Sequence, residues 1–167
     1  APVVEEGATS RSVWFPPGPW FSFWDHQRYE GPGYHEVPAP LEEIPLFVRG
    51  GAILPLLAET VVTLAGVAPD DLLQHLELRV YPAGSEGETH FSFHDGSVIT
   101  LRKSAGKLQF LFDESARSRR HRLALPGNRA LTIVKADGAS LMDDGKADVA
   151  LGVEVPPGTA DLTIAWS

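Results

Sequence analysis

The stretch Leu76-Glu77-Leu78-Arg79-Val80-Tyr81-Pro82-Ala83-Gly84 decides the fold class. Leu76, Leu78 and Val80 fall on one side of an extended chain, with Glu77 and Arg79 on the other. A period of two marks a half-buried strand of an antiparallel sheet, and Pro82-Ala83-Gly84 supplies the turn that ends it. The same alternation returns at Leu108, Phe110 and Phe112, with Gln109 between the first two. It returns again at Leu162, Ile164 and Trp166, with Asp161 and Thr163 opposite. Further turn signals stand at Asp95-Gly96, Ala105-Gly106, Pro126-Gly127-Asn128, Asp137-Gly138, Asp144-Gly145 and Pro156-Pro157-Gly158. Spacing of about ten residues is what a sandwich of short strands produces.

Composition agrees. The chain has 167 residues, 43% of them hydrophobic, enough to bury a core in one medium domain or two small ones. Its 16 Gly and 14 Pro exceed the roughly 12% share of average proteins and leave little room for long helices. Cysteine is absent, so no disulfide braces the fold. A net charge of -8 argues against nucleic acid or an anionic membrane as the main partner. No apolar run reaches a membrane span and no basic-then-apolar leader opens the chain. The expectation is a soluble chain of open compartment, without signal peptide or membrane-spanning segment.

Upstream the texture changes. Residues 11 to 56 hold three of the four Trp, two of the three Tyr and eight of the 14 Pro. Short apolar runs alternate with Pro and Gly: Val13-Trp14-Phe15, then Pro16-Pro17-Gly18, then Trp20 to Trp24, Gly33 to Val37, Leu46 to Val48 and Ile53-Leu54. This predicts edge strands and tight corners. Strand character fades through Ala65-Gly66-Val67-Ala68-Pro69-Asp70-Asp71. The boundary is placed there, with a linker, rather than a helical turn, leading into Leu76. The fold expected is all-β, two small antiparallel β-sandwich domains in tandem, residues 1–66 and 67–167.

One long ordered pattern is specific. It runs Arg11-Ser12-Val13-Trp14-Phe15-Pro16-Pro17-Gly18-Pro19-Trp20-Phe21-Ser22-Phe23-Trp24, then Tyr29-Glu30-Gly31, then Ala39-Pro40-Leu41-Glu42-Glu43-Ile44-Pro45-Leu46-Phe47-Val48-Arg49-Gly50-Gly51-Ala52-Ile53-Leu54-Pro55-Leu56. It resembles the region just after the catalytic barrel in family 31 glycoside hydrolases, the α-glucosidase and α-xylosidase group. The resemblance implies a proximal C-terminal β-sandwich in residues 1–66. It implies a distal one beyond, through Leu78-Arg79-Val80-Tyr81-Pro82 and Phe91-Ser92-Phe93-His94-Asp95-Gly96. The family's longer acidic turn is reduced here to Asp95-Gly96. The resemblance places the nucleophile and the acid/base carboxylate in the barrel, which needs about 250 residues of its own. No catalytic residue is therefore carried over to this chain, which is read as no enzyme by itself.

Asp25, Glu30, Glu36, Asp95, Asp143 and Asp144 are the acids to test for a carboxylate pair. Asp95-Gly96 and Asp144-Gly145 are explained by hairpin turns. Asp143-Asp144-Gly145 lacks the spaced oxygens of a calcium loop. His90 and His94, about 13 Å apart on an extended strand, are too distant to share an ion. No metal and no cofactor is expected. Arg117, Arg119, Arg120 and Arg122 admit an anion site, but a solvated loop is the commoner fate of such a run.

Aromatic rings remain. Sugars stack on exposed rings, so Trp14, Trp20, Trp24, Tyr29 and Tyr34 are the candidate carbohydrate-binding set. The competing reading is that these rings fill a core or face the barrel, which would expose an apolar face in an isolated fragment and drive self-association. The functional expectation is an accessory β-sandwich region supporting an α-glycosidase barrel, its main partner. The alternatives are an autonomous carbohydrate-binding module for α-linked oligosaccharides and a protein-interaction module.

Overall fold

The computed structural model describes residues 1–2, 6–57, 69–82, 84–125, 131–135, 139–142 and 151–166. The chain forms two compact units, Ala1–Ala52 with Tyr81–Gly84, and Ile53–Val80 with Ser85–Ser167. Both are built from strands.

In the first unit, β1 (Ser10–Ser22), β2 (Arg28–Pro38) and β3 (Phe47–Arg49) form an antiparallel sheet in the order β2-β1-β3. Among the described residues the strands of this unit form one three-stranded sheet. The expected break at Pro16-Pro17-Gly18 is absent, since β1 runs through it as one strand. The register shows how. Phe15 lies opposite Gly33 and Gly18 opposite Gly31, three steps on β1 against two on β2. One extra residue makes a bulge, the place in a sheet where prolines without an N–H are tolerated.

The bulge also changes which residues face inward. Before it, Val13 and Phe15 point to the core. After it, Trp20 does. On β2 no such shift occurs, and Tyr29 and Val37 sit on the same inner face. The result is a small aromatic core. The rings of Phe15 and Tyr29 stack at 5.1 Å, and Phe47 meets Phe15 edge-on at 4.8 Å. Tyr81-Pro82 belongs to this unit too. Gly51 N–H donates to the Tyr81 carbonyl at 2.6 Å, Tyr81 N–H donates to Ala52, and the buried Tyr81 ring lies 5.6 Å from Phe21.

The second unit is a sandwich. Its strands are β4 (Ile53–Leu57), β5 (Leu76–Val80), β6 (Gly87–Ser92), β7 (Val98–Ser104), β8 (Lys107–Phe112), β9 (His121–Leu125), β10 (Leu131–Lys135), β11 (Ser140–Met142), β12 (Leu151–Val155) and β13 (Asp161–Trp166). They make two five-stranded sheets, β10-β13-β8-β7-β6 and β11-β12-β9-β5-β4. Leu78, Val80, Leu123 and Val153 from one sheet share a core with Ile99, Leu108, Phe110, Leu162 and Ile164 from the other. All are nearly inaccessible. Pairing is antiparallel except between β5 and β9, where Leu78 pairs with Leu123 in parallel.

Ile53–Leu57 belongs to the second unit, where it pairs along its length with Leu76–Val80; the expected boundary at residue 66 lies outside the described residues. One further difference from expectation has a local cause. The segment before β5 is a helical turn, α1 (Pro69–Leu72), continued as a 3-10 turn at Leu73–His75. Proline opens it where a missing N–H costs nothing, and buried Leu73 ties it into the core. The turns at Asp95-Gly96, Ala105-Gly106 and Pro156-Pro157-Gly158 stand between strands as expected, each glycine at positive φ. Those at Pro126-Gly127-Asn128, Asp137-Gly138 and Asp144-Gly145 lie outside the described residues.

Gly31 is where the bulge is enforced. A Cβ there would sit 1.9 Å from the Pro16 carbonyl oxygen, a backbone atom that cannot swing aside. Gly31→Ala should destabilise the first unit by about 2 kcal/mol or more, the scale of an overpacked core. Urea unfolding followed by tryptophan fluorescence reads this, and an unchanged midpoint would contradict the register described.

Candidate functional site

The structure separates the five candidate aromatics into three settings. Tyr29 is buried against Phe15, and its hydroxyl donates to Gln27 Oε1 at 3.1 Å. Trp20 is half-buried against the same core, its indole N–H donating to the Pro16 carbonyl at 2.9 Å. These two rings fill the interior. Trp14 and Tyr34 face each other across β1 and β2 on the opposite, outer face, with centroids 5.1 Å apart and planes at 61°. Both are exposed. Trp24, just beyond the end of β1, is exposed as well, and its indole N–H donates to the Ile44 carbonyl at 2.8 Å. The five therefore do not form one coplanar row.

Trp24 and Tyr29 do share a cleft of about 200 Å³ within the first unit. Val37, Phe47 and three prolines form its apolar walls, and Ser22, Asp25 and Glu43 bring polar groups. Burial works against ionisation of Asp25, but the Ser22 hydroxyl, the Gln27 and Asp25 backbone N–H groups and nearby His26 outweigh it. Its carboxyl stays below the ordinary value. Burial pushes the Tyr29 phenol up, and the Asp25 charge adds to that. The cleft thus offers a fixed anion beside a neutral phenol and aromatic walls.

The other acids have structural partners. Glu30 pairs with Arg28, Glu36 accepts from the Ser10 hydroxyl, and Asp95 accepts from Arg119 at 2.6 Å and from the Ser97 hydroxyl at 2.6 Å. Asp143 and Asp144 lie outside the described residues. His90 Nδ1 is 3.0 Å from the Thr100 hydroxyl, and among the described residues no three His, Asp or Glu groups converge as a metal site.

The arginine run is not a free anion site. Arg117 lies 3.9 Å from Glu114, Arg119 is bonded to Asp95, Arg120 is 3.1 Å from Glu154, and Arg122 is 3.3 Å from Glu77. Each guanidinium already faces a carboxylate. Arg119 also lies over the Phe93 ring at 4.9 Å, which clips the β6–β7 turn onto the 3-10 turn at Ala116–Ser118. Beneath it His121 is buried, stacked on Phe112 at 5.0 Å, with its Nε2 2.6 Å from the Ala116 carbonyl.

Sequence reasoning missed the loop between β2 and β3. Leu41, Ile44 and Leu46 are all exposed there, next to Trp24. They fall at no strand period, so alternation could not single them out. In the sequence they stand within the ordered pattern from Ala39 to Leu56, with nothing to mark them as exposed.

Comparison with known proteins gives a consistent picture. Residues 1–54 match the family model for the glycosyl hydrolase family 31 C-terminal domain. The α-xylosidase of Saccharolobus solfataricus is 34% identical over 108 residues, 64% of this chain and 14% of the relative. The isomaltosyltransferase of Sporosarcina globispora is 31% identical over 106 residues, 60% of this chain and 9% of the relative. A family 31 dextranase of Flavobacterium johnsoniae, complexed with glucose, superimposes with a TM-score of 0.76 at 22% identity. That match covers 100% of this chain and 25% of the dextranase. The cycloalternan-forming enzyme of Listeria monocytogenes superimposes with a TM-score of 0.70 at 22% identity, over 100% of this chain and 18% of the enzyme. At such identities these structures establish the fold. The chain spans about a seventh of the length of the α-xylosidase and a quarter of that of the dextranase.

The buried His121 makes stability depend on pH. Burial, with Arg119 adding to it and the Ala116 bond opposing, holds its pKa below the ordinary 6.5. Between 6.5 and that lower value the unfolded chain carries the extra proton. Stability of the second unit should therefore be full above about pH 6.5 and fall as the pH drops below it. His121→Phe should flatten the slope of urea midpoint against pH in that window. A slope that survives the substitution would assign it elsewhere.

Proposed function

From the premise that this chain is a C-terminal region of the family 31 glycosyl hydrolases, we propose that it is a non-catalytic accessory piece of an α-glycosidase. It docks on the catalytic barrel of a longer parent protein. The parent's reaction is then retaining hydrolysis of an α-glycosidic bond, with both catalytic carboxylates supplied by the barrel.

One observation carries the docking reading. Leu41 is 99% exposed, Ile44 63%, Trp24 45% and Leu46 43%. Trp24 donates to the Ile44 carbonyl and Phe23 N–H to that of Leu46, which ties Ile44 and Leu46 to the end of β1, and Leu41 stands three residues before Ile44 in the same loop. Large exposed apolar side chains concentrated in one loop mark an interaction surface rather than a solvated loop. Ala1 lies at the same place, its nitrogen 3.0 Å from the Pro45 carbonyl. A domain joined ahead of residue 1 would be delivered to this face. The adjoining cleft, with ionised Asp25 and with Glu43, suits a Lys or Arg side chain from that domain.

The test is made in the full-length parent. Leu41→Asp with Ile44→Asp should lower the thermal midpoint of the catalytic domain by several degrees and reduce its yield of soluble enzyme. The same pair in the isolated chain should leave its unfolding nearly unchanged, because neither side chain is buried there. An unaltered parent would contradict docking through this loop.

A further inference from the structure

The pair Trp14–Tyr34 serves neither the core nor the docking loop. It lies on the outer face of the β1–β2 ribbon, turned away from Phe15, Tyr29 and Val37. Trp14 is 51% exposed and Tyr34 73%. A cross-strand aromatic pair stabilises the ribbon by about 0.2–1 kcal/mol, and the ring faces it leaves exposed are free to meet a ligand. Their rings meet at 61°, forming a corner rather than a flat stack. The next cross-strand pair on the same face is Ser12 and Glu36, both exposed. It lies about 7 Å further along the strands. The corner is thus bordered by a hydroxyl and by a carboxylate, which accepts a hydrogen bond from Ser10.

We infer that this corner of the ribbon is a surface contact site for one neutral pyranose unit of an oligosaccharide. The apolar C–H face of the sugar lies on an aromatic ring, whose negative π-face attracts it. Sugar hydroxyls donate to the Glu36 carboxylate and exchange hydrogen bonds with the Ser12 and Tyr34 hydroxyls. An open ribbon has no end wall, so it takes a unit within a chain as readily as a terminal one. The ligand class rests on the glycosidase reading above. The surface does not, because it shares no residue with the loop at Leu41 and Ile44.

The whole chain, labelled with ¹⁵N at its indoles, is titrated with maltohexaose, isomaltohexaose and soluble dextran. The Trp14 indole cross-peak should move saturably with at least one of them. Those of Trp20 and Trp24, bonded to the Pro16 and Ile44 carbonyls, should stay in place. Trp14→Ala and Tyr34→Ala should each weaken binding by about tenfold or more, and Tyr34→Phe by less. Glu36→Gln provides a second reading that leaves both rings in place, and it too should weaken binding. Absence of saturable movement with all three sugars overturns the inference, as does movement confined to Trp24, or binding that Trp14→Ala leaves intact. None of these results touches the accessory reading, which is decided at Leu41 and Ile44 in the parent.

Discussion

A single extra residue in β1 governs the first unit. Opposite Gly31, the chain takes three steps where its partner takes two, and the Pro16 carbonyl comes so close that no side chain fits at position 31. The shift turns Phe15 and Trp20 to the same side although they differ in parity. Without it, the residues after the bulge would invert, and Trp20 would leave the core while Phe21 entered it. The bulge therefore decides which aromatic rings of β1 are interior and which are exposed. It also gives Pro16 and Pro17 a place in a strand that would otherwise exclude them.

The second unit rests on different physics. Its core is a conventional interdigitation of Leu, Ile, Val and Phe between two sheets. Its rim is electrostatic. Glu77 is nearly buried, within 3.4 Å of Arg79 and 3.3 Å of Arg122. Those pairs answer the parallel junction of β5 and β9, where Glu77 stands directly beside Arg122. Asp95, Ser97 and Arg119 close the turn above His121 in the same manner. The arginines that stand out in an acidic sequence thus each face a carboxylate of their own unit, Arg119 and Arg122 largely covered, Arg117 and Arg120 at the surface.

Much of this was legible from residues alone. Leu76 to Val80, Leu108 to Phe112 and Leu162 to Ile164 are strands because period two leaves no other arrangement for their apolar side chains. Asp95-Gly96 is a turn for reasons of backbone conformation. What escaped was non-local. The parallel pairing of β5 with β9, the allegiance of Ile53–Leu57 and the continuity of β1 through its prolines depend on strands distant in sequence. The candidate rings show the same limit. Composition nominated five aromatics, but only the bulge and the pairing register separate Trp20 and Tyr29, which are interior, from Trp14, Tyr34 and Trp24, which are exposed. Leu41, Ile44 and Leu46 had no periodicity to announce them.

The central claim is that the face around Leu41, Ile44 and Trp24 is covered in a parent α-glycosidase. Hydroxyl-radical footprinting of side chains, on the isolated chain and on the full-length parent side by side, tests it most directly. The account predicts strong protection of Leu41, Ile44 and Trp24 in the parent, with Trp14 and Tyr34 oxidised equally in both. Equal oxidation of Leu41, Ile44 and Trp24 in the two proteins would contradict it.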